Sequence, residues 1–370
     1  MMLIKPRLHT MNRLLLLFIV LSTGCSAEES DNDNVFDEKE VRDVSLFMSA
    51  ESSFDIASPA WIKPEPEGFF LYDGGLQKII KFDLDGNKLL SFGSDGRGPG
   101  EFQEISGSAF WKFDDFYLIY DRIGAKFITY DDKGNWIEDI SAETEGLPRL
   151  VPTGIEAVTP HQFIVPSDGK NGSLLSLVDV ETEHIQYFGN AVGSYADRSL
   201  YDPEEEHRAI SSGRIPARLQ NSVIFSSNQS GIFSFQQTTA ILEKYSYSGE
   251  LIWDKKLEIP AQEGLFDHMF RENTDRLNRG LPAQYSFNYG NDIQANENGV
   301  AILINVLDDQ PVTVVWVPNN GESVTVVTFH GIENIQPFRV LRHFTIAADE
   351  SFIFFVRGMD GEIYRAEWPL

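Results

Sequence analysis

The arginines of this chain are the residues with the clearest capacity to bind a ligand, because most of them fall between the expected strands. A guanidinium group presents a rigid fork of N–H donors that matches a carboxylate or a phosphate. We therefore predict an anion-binding mouth on the face that carries these loops. The loop arginines are Arg97, Arg122, Arg149, Arg198, Arg208, Arg214, Arg218, Arg271, Arg276, Arg279, Arg339 and Arg357. The ligand-binding candidates among them are Arg97, Arg122, Arg214, Arg218, Arg271, Arg276 and Arg279.

The same arginines have an alternative role as ion-pair partners of acidic residues in the same loops. Ion pairs between loops are common, and an exposed pair contributes only about 0 to 1 kcal/mol. The sequence leaves the choice between ligand binding and ion pairing open. The acidic partners would be Glu204, Glu205, Glu206, Glu272 and Asp275.

Two short motifs are similar to ligand-binding loops but lack elements that such loops need. Gly96, Gly98 and Gly100 alternate as in a nucleotide loop, yet a strand is expected next instead of a helix whose N-terminus would meet a phosphate. Residues 83–87, Asp-Leu-Asp-Gly-Asn, lack the remaining ligands of a calcium loop. Both motifs are predicted to be turns.

The segments that position these residues repeat every 48 residues. A period in the forties indicates a propeller or a solenoid. Short runs rich in aromatic and β-branched residues fill the repeat and are separated by turns that contain Gly and Asp, so the repeat predicts strands. The landmarks Tyr72-Asp73, Phe82-Asp83 and Gly86 return as Tyr120-Asp121, Tyr130-Asp131 and Gly134.

We predict an all-β fold, a six-bladed β-propeller with four-stranded blades. Later units follow less regularly, and the sixth unit, 351–367, ends after its third strand. The segment Val41–Ser49 can supply the missing outer strand, so an N-terminal strand is predicted to close the last blade. Radial closure leaves only short sheet edges, which allows one all-β domain of this length.

The segment Phe92-Gly-Ser-Asp-Gly-Arg-Gly-Pro-Gly-Glu-Phe102 precedes an Ile-Tyr-Asp and a Phe-x-x-Tyr-Asp-x-x-Gly sequence. This pattern resembles the signature between the blades of NHL-repeat propellers. It is more closely similar to the six-bladed β-propeller lipoproteins of Gram-negative bacteria, which carry a Phe-Gly-x-x-Gly-x-Gly-Pro-Gly-Glu-Phe motif after the first blade. The resemblance covers residues 54–370. It implies the architecture and little chemistry, since most of that family has no assigned activity.

The N-terminus predicts a lipoprotein signal peptide over residues 1–24. Arg13 precedes an apolar run at 14–21, and Leu21-Ser-Thr-Gly-Cys25 resembles the bacterial lipobox. The apolar run is too short to span a bilayer. Cys25, the only cysteine, is therefore the predicted lipidation site, and a disulfide within the chain is excluded.

The acidic composition narrows the choice of partners. The formal net charge is −26, which argues against nucleic acid and against attachment to anionic membrane through a basic patch. Residues 25–40, rich in Asp, Glu, Asn and Ser, are predicted to be a disordered tether. A lipid anchor would then hold the protein on the outer membrane, facing the periplasm or the cell surface.

The predicted function is recognition by the propeller at 41–370. Insertions at about 190–220 and 260–290 would rise from the same face, and the second is expected to contain a helix at 262–278. Long loops on a rigid scaffold are where binding usually occurs. We therefore expect this face to bind an anionic ligand or a partner protein, with no cofactor and no catalytic residue assigned.

A metal-dependent hydrolase or lyase with its site at the propeller axis is the alternative. No two histidines are spaced as a chelating motif, so they could converge only through the fold. His207 and His268, one in each insertion, are the pair that the fold could most readily bring together. The candidate histidines are His161, His184, His207, His268, His330 and His343.

The lipid anchor can be tested directly at Cys25. Changing Cys25→Ala removes the thiol that would receive the lipid, so we expect the protein to be released from the membrane fraction or to remain unprocessed. Fractionation of cells and the mass of the mature N-terminus measure both effects. A Cys25→Ala protein that is processed and membrane-bound like the parent would contradict the assignment.

Overall fold

The computed structural model describes residues 36–143, 145, 147, 154–193, 202–283, 287–307, 310–332, 341–357 and 361–370, with the backbone only at 106–108 and 341–342. The signal peptide, Cys25 and most of the expected tether lie outside these residues. So do three of the loop arginines, Arg149, Arg198 and Arg339.

The described part of the chain is built mainly from strands. The first are β1 (Phe36–Val41), β2 (Ser45–Ser49), β3 (Pro59–Glu65), β4 (Gly68–Asp73), β5 (Lys78–Asp83), β6 (Lys88–Phe92), β7 (Ile105–Phe113), β8 (Phe116–Asp121), β9 (Lys126–Asp131) and β10 (Trp136–Ser141). Next come β11 (Glu156–Thr159), β12 (Gln162–Pro166), β13 (Leu175–Asp179), β14 (His184–Phe188), β15 (Val223–Asn228), β16 (Gly231–Gln236), β17 (Ile241–Tyr245) and β18 (Leu251–Lys256). The last are β19 (Gly290–Ala295), β20 (Gly299–Ile304), β21 (Val312–Pro318), β22 (Val324–Phe329), β23 (Leu341–Ile346), β24 (Phe352–Arg357) and β25 (Glu362–Glu367).

Within the described ranges, three helices interrupt this strand order. The segment between β14 and β15 holds α1 (Pro203–Ser211) and α2 (Ala217–Gln220), and the segment between β18 and β19 holds α3 (Leu265–Asn278). Single 3₁₀ turns lie at Lys170–Gly172 and Pro260–Gln262.

The strands form six sheets arranged as blades. Blades 1 to 4 are β3–β6, β7–β10, β11–β14 and β15–β18, each a four-stranded antiparallel meander. Blade 5 is β19–β22 with β1 added, and blade 6 is β23–β25 with β2 added. The first strands of successive blades are neighbours all the way around, including β23 beside β3. The predicted six-bladed β-propeller is therefore confirmed.

The core lies between the blades. Every residue of the middle strands β4, β16 and β20 is buried, whereas the outermost strand β10 is largely exposed. Between blades 1 and 2, the rings of Phe70, Phe92, Phe110 and Tyr117 pack with centroids 4.9 to 6.5 Å apart. Complete burial of one such side chain contributes about 1.5 to 3 kcal/mol, so contact between blades stabilises the ring.

Two aspartates of the repeat tie the crossings between blades to the second strand of each blade. Asp73 accepts hydrogen bonds from the backbone N–H groups of 57–58 at 2.6 to 3.1 Å. Asp121 accepts them from 103–104 at 3.2 Å. Both carboxylates are fully buried, and backbone donors satisfy them. The recurring Tyr-Asp landmark is thus a structural joint.

The glycines of the repeat allow turns to lie against aromatic rings of the preceding blade. Gly134 has φ +77° in the turn before β10, and a Cβ there would lie 3.0 Å from the Cβ of Phe92. Gly321 has φ +72°, and a Cβ there would lie 2.9 Å from the indole of Trp253. A side chain at either position would meet both strain and a clash. The same contact recurs between Gly86 and Phe47 and between Gly249 and Phe188.

The glycine-rich segment 92–102 is a turn, as predicted. Glu101 Oε2 accepts a hydrogen bond from the Gly98 N–H at 2.8 Å, and the Phe102 N–H donates to Ser94 O at 3.0 Å. Phe102 is fully buried, and the Tyr130 hydroxyl donates to Gly100 O. The segment therefore fastens the crossing from blade 1 onto blade 2.

The N-terminal strand closes the ring as predicted, and the preceding residues extend that closure. Strand β2 pairs antiparallel with β25, from Ser45 opposite Arg365 to Ser49 opposite Glu362. Strand β1 pairs in parallel with β22, from Phe36 opposite Val324. The prediction of a disordered tether is therefore wrong for residues 36–40. Phe36 packs against the core between blades 4 and 5, while the acidic residues of β1 stay largely exposed.

Removal of this closure should destabilise the propeller. Deletion through Ser49 would expose the edges of β22 and β25 and remove the buried Val41 and Met48 side chains. At about 1.5 to 3 kcal/mol for each side chain, we expect Tm to fall by about 10 °C, with association through the free edges. Differential scanning calorimetry and light scattering measure these effects. Deletion through Asn34 is the control and should leave Tm unchanged; equal Tm values for both proteins would contradict the role of the strands.

Candidate functional site

Both insertions rise from one face, which we call the insertion face. In each blade the first strand is innermost, so the crossings from one blade to the next all open on this face. Helices α1 and α3 contact each other there. Ile210 of α1, Leu265 and Met269 of α3, and Phe287 form a small apolar core. The insertions therefore pack as one layer, and α3 lies within the range predicted for a helix.

Several of the candidate arginines pair with carboxylates of the protein itself. Arg218 contacts both carboxylate oxygens of Glu206 at 3.0 and 3.1 Å, and Glu206 is only 5% exposed. Arg279 pairs with Asp275 at 2.7 Å. For these arginines the contacts favour the ion-pairing alternative.

Arg122 also forms an ion pair, with Glu104 at 2.6 Å. Arg271 lies 3.0 Å from Nδ1 of His268 and 3.9 Å from Glu272. Outside the candidate set, Arg357 pairs with Glu362 at 3.0 Å, and Arg208 donates to a backbone carbonyl of its own helix. Many of the arginines expected to bind an anion therefore already contact groups of the protein itself.

Three candidate arginines contact neutral oxygen atoms. Arg97 donates to Gln103 at 2.9 Å, Arg214 donates to the Ser212 hydroxyl at 3.0 Å, and Arg276 donates to Pro282 O at 3.0 Å. Arg97 and Arg214 are exposed and Arg276 is half-buried. A ligand-binding role for these arginines stays a prediction.

His207 lies on α1 and His268 on α3, as the position of the insertions implied. Within the described ranges, no group of three or more His, Cys, Asp or Glu side chains is arranged to hold a metal ion. The hydrolase or lyase alternative stays a prediction.

A cavity of about 410 Å³ runs along the axis of the ring. Its wall comes from the innermost strands of blades 1, 3, 4, 5 and 6, together with Gly154 just before β11. Most of the wall is apolar, and the polar side chains on it converge from different blades. The lining residues that bear on the chemistry are Trp61, Lys63, Glu156, Ser227, Asp292 and His343.

Lys63, on β3, places a positive charge at this wall. Its Nζ donates to Phe110 O at 2.6 Å and lies 5.6 Å from the centre of the Trp111 ring. Burial lowers the pKa of Lys63, and the carboxylates of Glu156 and Asp292 oppose that shift. Lys63 therefore lies in the field of two carboxylates from other blades.

Glu156, on β11, faces Lys63 from the third blade. Its Oε2 lies 3.4 Å from Nε1 of Trp111, and its Oε1 lies 3.4 Å from the Ser227 hydroxyl. Burial raises the pKa of Glu156, while Lys63 and these two donors act in the opposite direction. Lys63 and Glu156 thus form a coupled pair whose charges offset each other.

Asp292 and His343 form a second polar pair on the wall. Oδ2 of Asp292 lies 3.3 Å from Nδ1 of His343 and accepts the Phe344 backbone N–H at 3.2 Å. When Nδ1 carries the proton and donates to Asp292, Nε2 is the ring nitrogen that can accept a hydrogen bond. In that tautomer the pair presents a carboxylate and a ring-nitrogen acceptor side by side.

Trp61 adds a buried donor to the same wall. It is 2% exposed, and its indole N–H has no acceptor among the described atoms. Its ring packs between Tyr72 and Phe110, with centroids 5.6 and 5.5 Å away. A buried polar group without a partner is costly, so this N–H would gain from an acceptor in the cavity.

The residues that line this cavity lie far apart in the chain, so no motif in the sequence identifies them. His343 is one of the six candidate histidines of the axial alternative. Lys63 carried a local signal, since it interrupts the apolar run Trp61-Ile62 within a strand, where an unpaired lysine would be costly. Nothing near Glu156 or Asp292 in the sequence marks either residue.

Solved structures of other proteins are similar to this chain at low sequence identity. A protein of Bacteroides fragilis NCTC 9343 proposed to be exported has a TM-score of 0.51 and 11% identity, covering 90% of this chain and 99% of that chain. A member of the DUF4221 family from Bacteroides vulgatus ATCC 8482 has a TM-score of 0.53 and 8% identity, covering 88% and 96%. A catalytically inactive virginiamycin B lyase from Staphylococcus aureus with quinupristin has a TM-score of 0.48 and 10% identity, covering 88% and 98%. No protein-family model and no curated protein matches the sequence.

The coupled pair gives a prediction for pH dependence. Lys63→Met leaves the carboxylate of Glu156 buried without its cation, so the free energy of unfolding should fall by about 3 kcal/mol at pH 7. Loss of Lys63 raises the pKa of Glu156 further above its unfolded value. The folded variant then takes up a proton more readily than the unfolded chain, so its deficit should shrink between pH 7 and pH 5.

Urea denaturation at the two pH values measures this effect. The double variant Lys63→Met/Glu156→Gln should recover much of the lost stability, because neither charge remains. Lys112→Met is the matched control, since Lys112 pairs with Glu65 away from the cavity. A deficit of Lys63→Met that is the same at both pH values would show that Glu156 is not its electrostatic partner.

Proposed function

We propose that this protein is a membrane-anchored β-propeller that binds a small ligand in its axial cavity. The observation that carries the proposal is the cavity of about 410 Å³, lined by innermost strands of five blades. Small-molecule sites are concave, mostly apolar and roughly 300 to 1,000 Å³, with a few polar groups that fix orientation. The wall around Lys63, Glu156, Asp292 and His343 has this composition.

Rigidity of the wall supports a binding role. Lys63 is held by Phe110 O, and Asp292 is held by the Phe344 N–H. These partners belong to neighbouring blades, so the polar groups are positioned before any ligand arrives. Preorganised groups lose little conformational entropy on binding.

The membrane attachment is proposed at Cys25, on the lipobox-like sequence Leu21–Cys25. The acidic residues between Cys25 and β1 would then form a short link between lipid and propeller. Among the described residues, no helix has both the length and the apolar character needed to cross a membrane.

A second proposal keeps the insertion face as an anion-binding surface. The observation that favours it is that Arg97, Arg214 and Arg276 contact neutral oxygen atoms and keep donors for a ligand. The ion pairs of Arg122, Arg218 and Arg279 would then hold the loops in place.

A fragment screen by ligand-observed NMR tests the axial site. Ser227→Phe and Ala295→Phe fill the cavity from two different strands, so ligands of the parent protein should lose at least about tenfold in affinity, which corresponds to about 1.4 kcal/mol. Ser91→Phe, on the exposed face of β6, is the matched control and should bind normally. Circular dichroism and Tm establish that each variant is folded.

The outcome of this screen distinguishes the axial site from the insertion face. Ligands that bind both cavity variants normally, and are lost on Arg97→Gln/Arg214→Gln/Arg276→Gln, belong to the insertion face and contradict the axial site. Ligands lost only in the cavity variants support it.

A further inference from the structure

We propose that the axial cavity selects a small organic amine in its cationic form, with the ammonium group on the carboxylate of Asp292. This inference rests on the proposed function, because it names the ligand class of the same cavity. It follows from the charges on the wall, from the contacts of Asp292 and from the apolar character of the remaining surface.

The charges on the described wall do not cancel. Lys63, Glu156 and Asp292 are its charged side chains, with His343 beside them. Lys63 and Glu156 sum to zero whether both are ionised or a proton passes from one to the other. With that pair neutral overall and His343 uncharged, Asp292 leaves one negative charge on the wall.

The hydrogen-bond partners of Asp292 leave its carboxylate able to accept more hydrogen bonds. Its Oδ2 faces the Phe344 N–H and the His343 ring, and its Oδ1 accepts the Ile293 N–H at 3.0 Å. A carboxylate has about four acceptor positions. An ammonium group of a ligand can donate a charge-assisted hydrogen bond to this carboxylate. It can donate a second hydrogen bond to Nε2 of His343.

The rest of the wall favours an organic body on that amine. Trp61, Phe225, Ile293 and Phe344 lie on the wall. Contact with such surface stabilises an apolar group by roughly 25 cal/mol for each Å² removed from water. A bare inorganic cation would gain nothing from this surface.

The wall and the whole protein both disfavour anions. An anion in the cavity would meet Asp292 without a free cation, since Lys63 is already in the field of Glu156. The net charge of −26 also repels anions at long range and attracts cations. Charge therefore selects the ligand class, and the apolar wall selects for an organic body.

Isothermal titration calorimetry with three probes of similar shape tests the inference. Benzylamine, benzyl alcohol and benzoate differ in charge while sharing one ring. We expect benzylamine to bind with Kd at least tenfold lower than benzyl alcohol, and benzoate to bind more weakly than either. N-acetylbenzylamine, which lacks the charge, should bind no better than the alcohol; this comparison needs no variant.

Asp292→Asn keeps the shape and the acceptor for the Phe344 N–H but removes the charge. Benzylamine should lose at least tenfold in affinity in this variant, while benzyl alcohol should change less than twofold. Glu156→Gln should weaken benzylamine less than Asp292→Asn, because the ammonium group lies at Asp292. Asp275→Asn, which removes an exposed carboxylate paired with Arg279, is the control for net charge and should have no effect.

Failure of the inference can be told apart from failure of the proposed function. If benzoate or the neutral probes bind as well as benzylamine, and Ser227→Phe abolishes that binding, the cavity binds ligands of another class and the inference is wrong. Unchanged benzylamine affinity in Asp292→Asn also overturns it. If none of the probes, and no fragment from the screen, depends on Ser227 and Ala295, both the inference and the axial site are wrong.

Discussion

Closure of the ring is the constraint on which the rest of this structure depends. Each blade has two apolar faces, and both are buried only when a neighbour lies on each side. The last blade contributes three strands of its own, so β2 must complete it, and β1 adds a fifth strand to the blade before it. These two strands join the beginning of the described chain to its end. Stability is thus shared around the ring, and removal of one edge affects every interface.

Closure also decides what lies on the axis. The innermost strands of five blades line the cavity there, and their inner edges carry backbone groups that need hydrogen-bond partners. In this protein two charged groups on the wall have hydrogen-bond partners across blade boundaries: Lys63 donates to Phe110 O, and Asp292 accepts from the Phe344 N–H. The charges therefore help to fix the blades relative to one another. The same contacts hold the wall rigid, which is the condition for selective binding of a small ligand.

Charged residues have a different role on the insertion face than in the axial cavity. Its helices have an apolar core of their own around Met269 and Phe287, and the buried Glu206 is matched by Arg218. Arginine in these loops is therefore used first to hold the insertions together. Among the described arginines of these loops, Arg97, Arg214 and Arg276 contact neutral oxygen atoms and keep donors for another molecule. A long loop rich in cations in an acidic protein is consequently a weaker sign of anion binding than its composition indicates.

The sequence by itself determined the repeating parts of this protein. The 48-residue period, the Tyr-Asp joints, the glycine turns and the closing strand near Val41–Ser49 are local signals, because turns and strands depend on neighbouring residues. Strand β1 could not be predicted from the sequence, because its composition is mainly acidic and only Phe36 and Val41 contact the apolar core. The tertiary structure alone decided the axial site. Lys63, Glu156, Asp292 and His343 come from four blades, and each lies in a segment that encodes only a strand. Their proximity arises when the ring closes, and packing between distant blades fixes it.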